Sequence, residues 1–154
     1  MQSRDWMALT FRRIDHDQAL RAATIIVQAY IEPPWNEEWS IDKATDRICE
    51  LSTTPGWLGV GALEESELRG FAIGIPHTTA AGRALYIHEI AVLPSHQRRG
   101  IGTSLLKLLE KEAQNSGFAR VLLVSRNEGA VADYYKCNGY RQVPHLRVYS
   151  RSIR

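Results

Sequence analysis

Cysteine is nearly absent from this chain: its 154 residues include two, Cys49 and Cys137, and no Cys-x-x-Cys pair. That excludes a disulfide framework and a cysteine-based zinc site, and it fits a reducing compartment. Proline and glycine are sparse as well, at 6 and 11 residues, too few for a fibrous or low-complexity chain. No apolar stretch reaches the roughly 18 residues that a membrane span requires. The opening segment carries Arg4, Asp5, Arg12, Arg13 and Asp15 where a secretory signal needs an apolar run, so the chain reads as unprocessed, soluble and cytoplasmic. An excess of one charge is also missing. Nineteen basic against 17 acidic residues leave a net charge of +2, which alone implies neither a nucleic-acid partner nor a membrane surface.

What is present, 44% hydrophobic and 23% charged residues, suits one compact domain spanning the whole chain and burying about 68–70% of its unfolded surface. Residues 7–14 read as extended, followed by a helix that Asp15 or Asp17 can cap, with Ala19, Ala22, Ala23, Ile26 and Tyr30 at helical spacing. Glu32-Pro33-Pro34-Trp35 breaks it. Ser40 then caps a second helix with Ile41, Ala44, Ile48 and Leu51 on one face. Residues 57–63 and 68–75 read as a hairpin around Glu64-Glu65-Ser66-Glu67, and residues 84–93 as a central strand covered on both faces. The clearest helix runs from Ile101 through Leu105, Leu108, Leu109 and Ala113 to Gly117. A short strand over residues 120–124, a helix over 128–138 ended by Gly139, and a last pair of strands over 140–143 and 146–153 complete the order β-α-α-β-β-β-α-β-α-β-β. This is a mixed α/β sheet flanked by helices.

Chemistry concentrates between the strongest strand and the strongest helix, in Pro94-Ser95-His96-Gln97-Arg98-Arg99-Gly100-Ile101-Gly102-Thr103. Glycines let a ligand approach the backbone, the first N–H groups of a helix have no intrahelical acceptor, and the helix dipole is positive there. The physical expectation is a phosphate-binding turn. A dinucleotide fingerprint would need glycine at Leu105, and a Walker A loop would need Gly-Lys-Ser/Thr, so both are excluded. Gly100-x-Gly102 by itself also fits a tight turn with solvated arginines.

Gln97-Arg98-Arg99-Gly100-Ile101-Gly102, following Ile90-Ala91-Val92-Leu93-Pro94, resembles the acetyl-CoA motif Gln/Arg-x-x-Gly-x-Gly/Ala of the GCN5-related N-acetyltransferases. The segment from Asn127 through Ala130, Tyr134 and Tyr135 to Gly139-Tyr140 is similar to the family's second signature. The resemblance implies a single-domain fold with a mixed, mostly antiparallel sheet, a splayed central strand pair and about four flanking helices. It also implies acetyl-CoA as cosubstrate and no metal. Backbone N–H groups from Arg98 to Thr103 would hold the pyrophosphate, with Gln97 beside them. Ile90, Ala91 and Val92 would line the pantetheine arm, Ile90 and Val92 pairing with it like a strand while the Val92 N–H polarises the thioester carbonyl. Asn127 would contact the arm from the other side, and Tyr135 matches the acid that protonates the departing thiolate.

The acceptor is then a primary amine. With a pKa of about 10.4, its ammonium must lose a proton at a cost of about 4 kcal/mol at pH 7, so a base is expected. Glu89 is read as that base or as a relay through water; the other reading is a structural carboxylate at a sheet bulge. In a regular strand His88 points to the opposite face, so one of the two faces the cleft unless the strand is bulged. Some family members carry the acid three residues earlier, where Tyr86 stands. Glu89, His88 and a water chain therefore remain alternatives.

Trp35, Glu37, Glu38 and Trp39, with Trp57 nearby, are the candidate acceptor site, since carboxylates beside aromatics suit a cationic amine. The alternative is a solvated helix start with Trp39 packing over it. Tyr134 and Cys137 read as packing residues, and His16, His77, His96 and His145 lack metal-ligand spacing. Arg141, Arg147, Arg151 and Arg154 read as a solvated edge. The sequence thus predicts direct acetyl transfer to a small-molecule amine such as a polyamine, amino sugar or aminoglycoside-like compound. A protein or peptide N-acetyltransferase and a non-catalytic CoA-binding regulatory module are the alternatives, and no nucleic acid or membrane is involved. A homodimer is left open.

Overall fold

The computed structural model describes residues 9–153. Met7, where the first strand is predicted to begin, lies outside them, as does Arg154. The chain divides into two compact units between Leu123 and Val124.

In the first unit β1 (Thr10–Arg13) leads into α1 (His16–Leu20) through a reciprocal cap. The Asp15 carboxylate accepts the Gln18 N–H at 2.9 Å and the Gln18 side chain accepts the Asp15 N–H at 3.0 Å, an arrangement that contributes about 1 kcal/mol. Arg21 and Ala22 keep right-handed helical dihedrals between α1 and α2 (Ala23–Tyr30), so the two continue one helical stretch. Ser40 caps α3 (Ile41–Ser52), its hydroxyl accepting the Lys43 N–H at 3.1 Å. Next come β2 (Leu58–Glu64), β3 (Glu67–Thr79), β4 (Gly82–Val92), α4 (Ile101–Asn115) and β5 (Arg120–Leu123). The sheet order is β1-β2-β3-β4-β5, antiparallel throughout except for the parallel β4–β5 pair.

β3 runs past its predicted end because it stays paired with β4 out to Thr79–Gly82, while β2 reaches only to Gly74. Pro76 therefore lies where β3 is paired on one side, a position that tolerates a residue without an N–H. Phe71 and Ile73 of β3 face α1–α3 and join Ile25, Ile26, Ala44 and Ile48 in one buried cluster. Their neighbour Gly70 faces the other way, where a Cβ would lie 3.2 Å from Leu105 of α4. Leu105, Leu106 and Leu109 are fully buried, each worth about 1.5–3 kcal/mol.

The second unit contains α5 (Ala130–Cys137), which buries Ala132. The two final strands predicted over 140–143 and 146–153 are not formed: no strand occurs among described residues beyond Leu123. Their hydrogen bonds close locally instead. Leu146 donates to the Val143 carbonyl across Pro144, and the Arg147 guanidinium turns back to the carbonyls of Pro144 and Leu146 at 3.0 and 2.8 Å. Cys137, expected in the core, is exposed, as is Cys49, because α5 buries too narrow a stripe to enclose its last turn.

Candidate active site

The β3–β4 ladder pairs Ile73 with Glu89 but Gly74 with Ile87, leaving His88 as the extra residue of a β-bulge. The bulge changes which side chains share a face. Tyr86 lies opposite Ile75 and Glu89 opposite Ile73, both of which pack in or against the α1–α3 cluster. His88 stacks on Tyr86, ring centroids 4.5 Å apart and planes at 26°. Tyr86, His88 and Glu89 therefore all look toward α2 and α3, and the opposition of His88 and Glu89 expected for a regular strand does not hold.

Glu89 is 6% exposed, and both carboxylate oxygens are engaged. Oε1 accepts the Tyr30 hydroxyl of α2 at 2.7 Å, and Oε2 accepts Arg47 Nε of α3 at 2.8 Å. A charge so enclosed requires such partners. His88 is half-buried, and burial, followed by the Arg47 charge, lowers its pKa from the ordinary 6.5. Neither Tyr30 nor Arg47 is among the sequence-predicted site residues. The available signal was a long cation at Arg47 directly beside the apolar stripe Ala44, Ile48 and Leu51, where a solvated residue has no reason to sit.

The β4–β5 ladder ends at Ile87 opposite Leu123, whereas β4 stays paired with β3 to Val92. From His88 to Val92 one edge of β4 is thus open within the sheet. Leu93 donates its N–H back to Arg69 of β3 at 2.9 Å. Because backbone groups alternate sides, those of Val92 and Ile90 point to the open edge. There Gln97 Nε2 donates to the Val92 carbonyl at 3.0 Å, and the Tyr30 hydroxyl is 3.5 Å from the Ile90 carbonyl oxygen. Ala91, between them, is buried in the α1–α3 cluster.

A 3₁₀ turn (Pro94–His96) carries the chain from this edge to the start of α4. Arg98 and Gly100 adopt left-handed conformations, φ 65° and 77°. A Cβ on Gly100 would meet nothing within 4 Å, so glycine is required there by dihedral angle and not by space. No side chain caps α4, and its first internal bond is Ser104 N–H to the Gly100 carbonyl, 3.1 Å. The amide groups at Ile101 and Gly102 precede that bond. Behind the turn, the Glu64 carboxyl is held below its ordinary pKa, first by the hydrogen bond to His96 Nε2 at 3.2 Å and further by Arg69 and Arg99.

Of the residues expected to form an acceptor site, Trp35 packs against Tyr30, ring centroids 5.7 Å apart, which brings it to the Glu89 cluster. Trp39 and Glu37 satisfy each other instead, the indole N–H donating at 3.0 Å, and Glu38 is exposed. In the second unit Asn127 is exposed and its carbonyl accepts the Gln142 side chain. The Tyr135 phenol pKa is pushed up to about 12 by burial and by Tyr134, and its ring meets Tyr134 and Tyr140 edge-on at 5.2 and 5.8 Å. Among the described residues no cluster of three His, Cys, Asp or Glu could hold a metal ion, and no helix is long and apolar enough to cross a membrane.

Compared with known families, residues 21–140 match the model described as the acetyltransferase (GNAT) family. No curated protein matches in sequence. Among solved structures, the chain is similar to an aminoglycoside acetyltransferase from an uncultured soil metagenomic sample in complex with sisomicin, at 18% identity and TM-score 0.73 over 96% of this chain and 99% of that one. It is also similar to aminoglycoside N-acetyltransferase AAC(6′)-Iy in complex with CoA, at 15% identity and TM-score 0.72 over 93% and 94%. A third is ribosomal-protein-alanine N-acetyltransferase from Brucella melitensis biovar Abortus 2308, at 16% identity and TM-score 0.70 over 94% and 100%.

Proposed function

The chain belongs to the acetyltransferase (GNAT) family, and from that premise we propose that it transfers an acetyl group from acetyl-CoA directly to a primary amine of a small molecule, of the polyamine, amino-sugar or aminoglycoside-like class. The family match spans both compact units, which supports reading them as one acetyltransferase domain. The observation that carries the proposal is the open edge of β4, whose outward-facing Ile90 and Val92 groups lead within a few residues to the uncapped start of α4. An extended amide-bearing arm can pair with such an edge while its pyrophosphate meets the helix N-terminus.

Acetyl-CoA supplies a thioester, an acyl group already activated for attack by an amine. The chain's part is to bind and polarise it. Ile90 and Val92 hold the arm, with Ala91 fixing the strand between them, and the Val92 N–H donates to the carbonyl oxygen as charge develops there. The amides of Arg98 to Thr103 hold the pyrophosphate, and Gln97 exchanges its bond to Val92 for the bound arm. Asn127 contacts the arm. Tyr135, protonated below about pH 12, gives the leaving sulfur its proton. Glu89, held by Arg47 and Tyr30, acts as the fixed anion of the acceptor region. Trp35 offers an aromatic wall to the amine, with Glu37, Glu38 and Trp39 on the outer loop. The exposed thiols of Cys49 and Cys137 favour a cytoplasmic setting.

The test is free-thiol release from acetyl-CoA over a panel of polyamines, aminoglycosides and peptides with free N-termini. Turnover on small amines is expected. Turnover on peptides alone would move the function to protein N-acetylation, and tight CoA binding without turnover would leave a regulatory module.

A further inference from the structure

Resting on the acetyltransferase reading, we propose that the proton of the attacking ammonium is taken by His88 and not by Glu89. A proton on Glu89 would break its 2.8 Å ion pair with Arg47 and strand that guanidinium without a counter-charge. It would also compete with the Tyr30 hydroxyl, already donating at 2.7 Å. At 6% exposure, the carboxylate has no free face to offer an amine.

The bulge supplies the alternative. It places His88 beside Glu89 on the same face, and the stack on Tyr86 fixes its ring plane. Neither ring nitrogen hydrogen-bonds among the described residues, so a lone pair is available to the incoming ammonium. The ionisable groups around it are Tyr86 and Glu89 on β4, His77 on β3 at the far side of Tyr86 (6.2 Å between rings), Tyr30 on α2 and Arg47 on α3. Glu89 is neutralised by Arg47, so no free anion holds a proton on the imidazole. Burial and the Arg47 charge shift His88 the same way, keeping it neutral at pH 7 and able to accept.

The step balances. One ammonium proton passes to His88 and then to solvent, and the nitrogen lone pair forms the C–N bond. The C–S bond breaks with its electron pair on sulfur, which takes a proton from Tyr135, and the second proton of the nitrogen passes through solvent to restore that phenol, leaving amide, thiol and one released proton.

The test is the pH profile of kcat/KM for the amine that the thiol-release panel identifies. A base that accepts from bound ammonium gives a plateau between its own pKa, below 6.5, and the amine's, about 10.4. Wild-type protein should show that plateau and fall off on its acid side. His88→Gln should lose about 10³-fold or slightly more at pH 7, the free-amine deficit across about 3.4 pH units, climb with unit slope, and approach wild type near the amine pKa, with the KM for acetyl-CoA unchanged. Glu89→Gln should lower the height of the plateau, since it leaves Arg47 without its counter-charge, but keep its shape. A wild-type profile that climbs without a plateau, or convergence produced by Glu89→Gln in place of His88→Gln, overturns the assignment. If the histidine variant does not fold, the Glu89→Gln profile decides, because a plateau that survives loss of the carboxylate excludes Glu89 and a plateau that disappears overturns the assignment. Absence of thiol release by wild type on any amine overturns the acetyltransferase reading itself, so the two failures are distinguishable.

Discussion

Arg47→Met removes the one cation paired with Glu89 among the described residues while keeping most of the aliphatic stem. The charges meet at 2.8 Å, with side-chain exposures of 35% for Arg47 and 6% for Glu89. With charge centres about 4 Å apart and an effective dielectric of about 20, the gross attraction is about 4 kcal/mol. Fully buried pairs broken from one side lose about 3–5 kcal/mol. Here the outer part of Arg47 is in water and the Tyr30 hydroxyl still donates to Glu89, so a loss of about 2–3 kcal/mol is expected, roughly 4–12 °C in Tm for a domain of this size. Urea unfolding should show a lower midpoint with an unchanged slope. The same substitution in a Glu89→Gln background should cost less than about 1 kcal/mol, because no buried charge is then left unpaired. Equal costs in the two backgrounds would refute the claim that Glu89 is committed to Arg47, and with it the reason for seeking the proton acceptor elsewhere.

Gly100→Val places a β-branched residue at φ 77°, costing about 1–2 kcal/mol, and should weaken acetyl-CoA binding in a protein that still folds; calorimetry showing an unchanged Kd would remove the phosphate role from this turn. Tyr135→Phe should lower kcat by about 10²-fold with little change in acetyl-CoA affinity, whereas an unaffected rate would assign the proton to solvent. Because the folded-state pKa of Glu64 is depressed, its contribution to stability is present above the unfolded carboxylate pKa and lost as pH falls through the folded value. The stability gap between wild type and Glu64→Gln should therefore shrink below about pH 4, and a gap independent of pH would mean that His96 does not hold the carboxylate.

Much of the fold is written locally. Asp15 and Ser40 cap the helices they are placed to cap, and Glu65-Ser66 turns the β2–β3 hairpin with both residues in the left-handed region. The basic glycine turn was equally legible, because its chemistry lies in backbone conformation and helix polarity. The bulge was not: it depends on a one-residue offset between β3 and β4, which alternation along β4 alone cannot reveal. Arg47 and Tyr30 were missed for a related reason, since each reads as an ordinary member of its own helix until Glu89 is brought to both. The final strand pair failed in the opposite direction. Leu146-Arg147-Val148 alternates well, but alternation supplies no partner for its amides.

The extra residue at His88 works like a parenthesis within β4. Because Ile73–Glu89 and Gly74–Ile87 are consecutive pairs along β3, deleting His88 would close an uninterrupted ladder and leave every other β4 residue on its present face, Ala91 in the core and Tyr86 toward α2 and α3. The bulge is therefore a self-contained insertion that adds one side chain to the α2–α3 face without altering what the rest of the strand buries. Loss of the single codon for His88 would thus remove one imidazole while the hydrophobic core and the open edge of β4 stay in register, whereas Glu89, paired with Arg47, cannot be exchanged so freely.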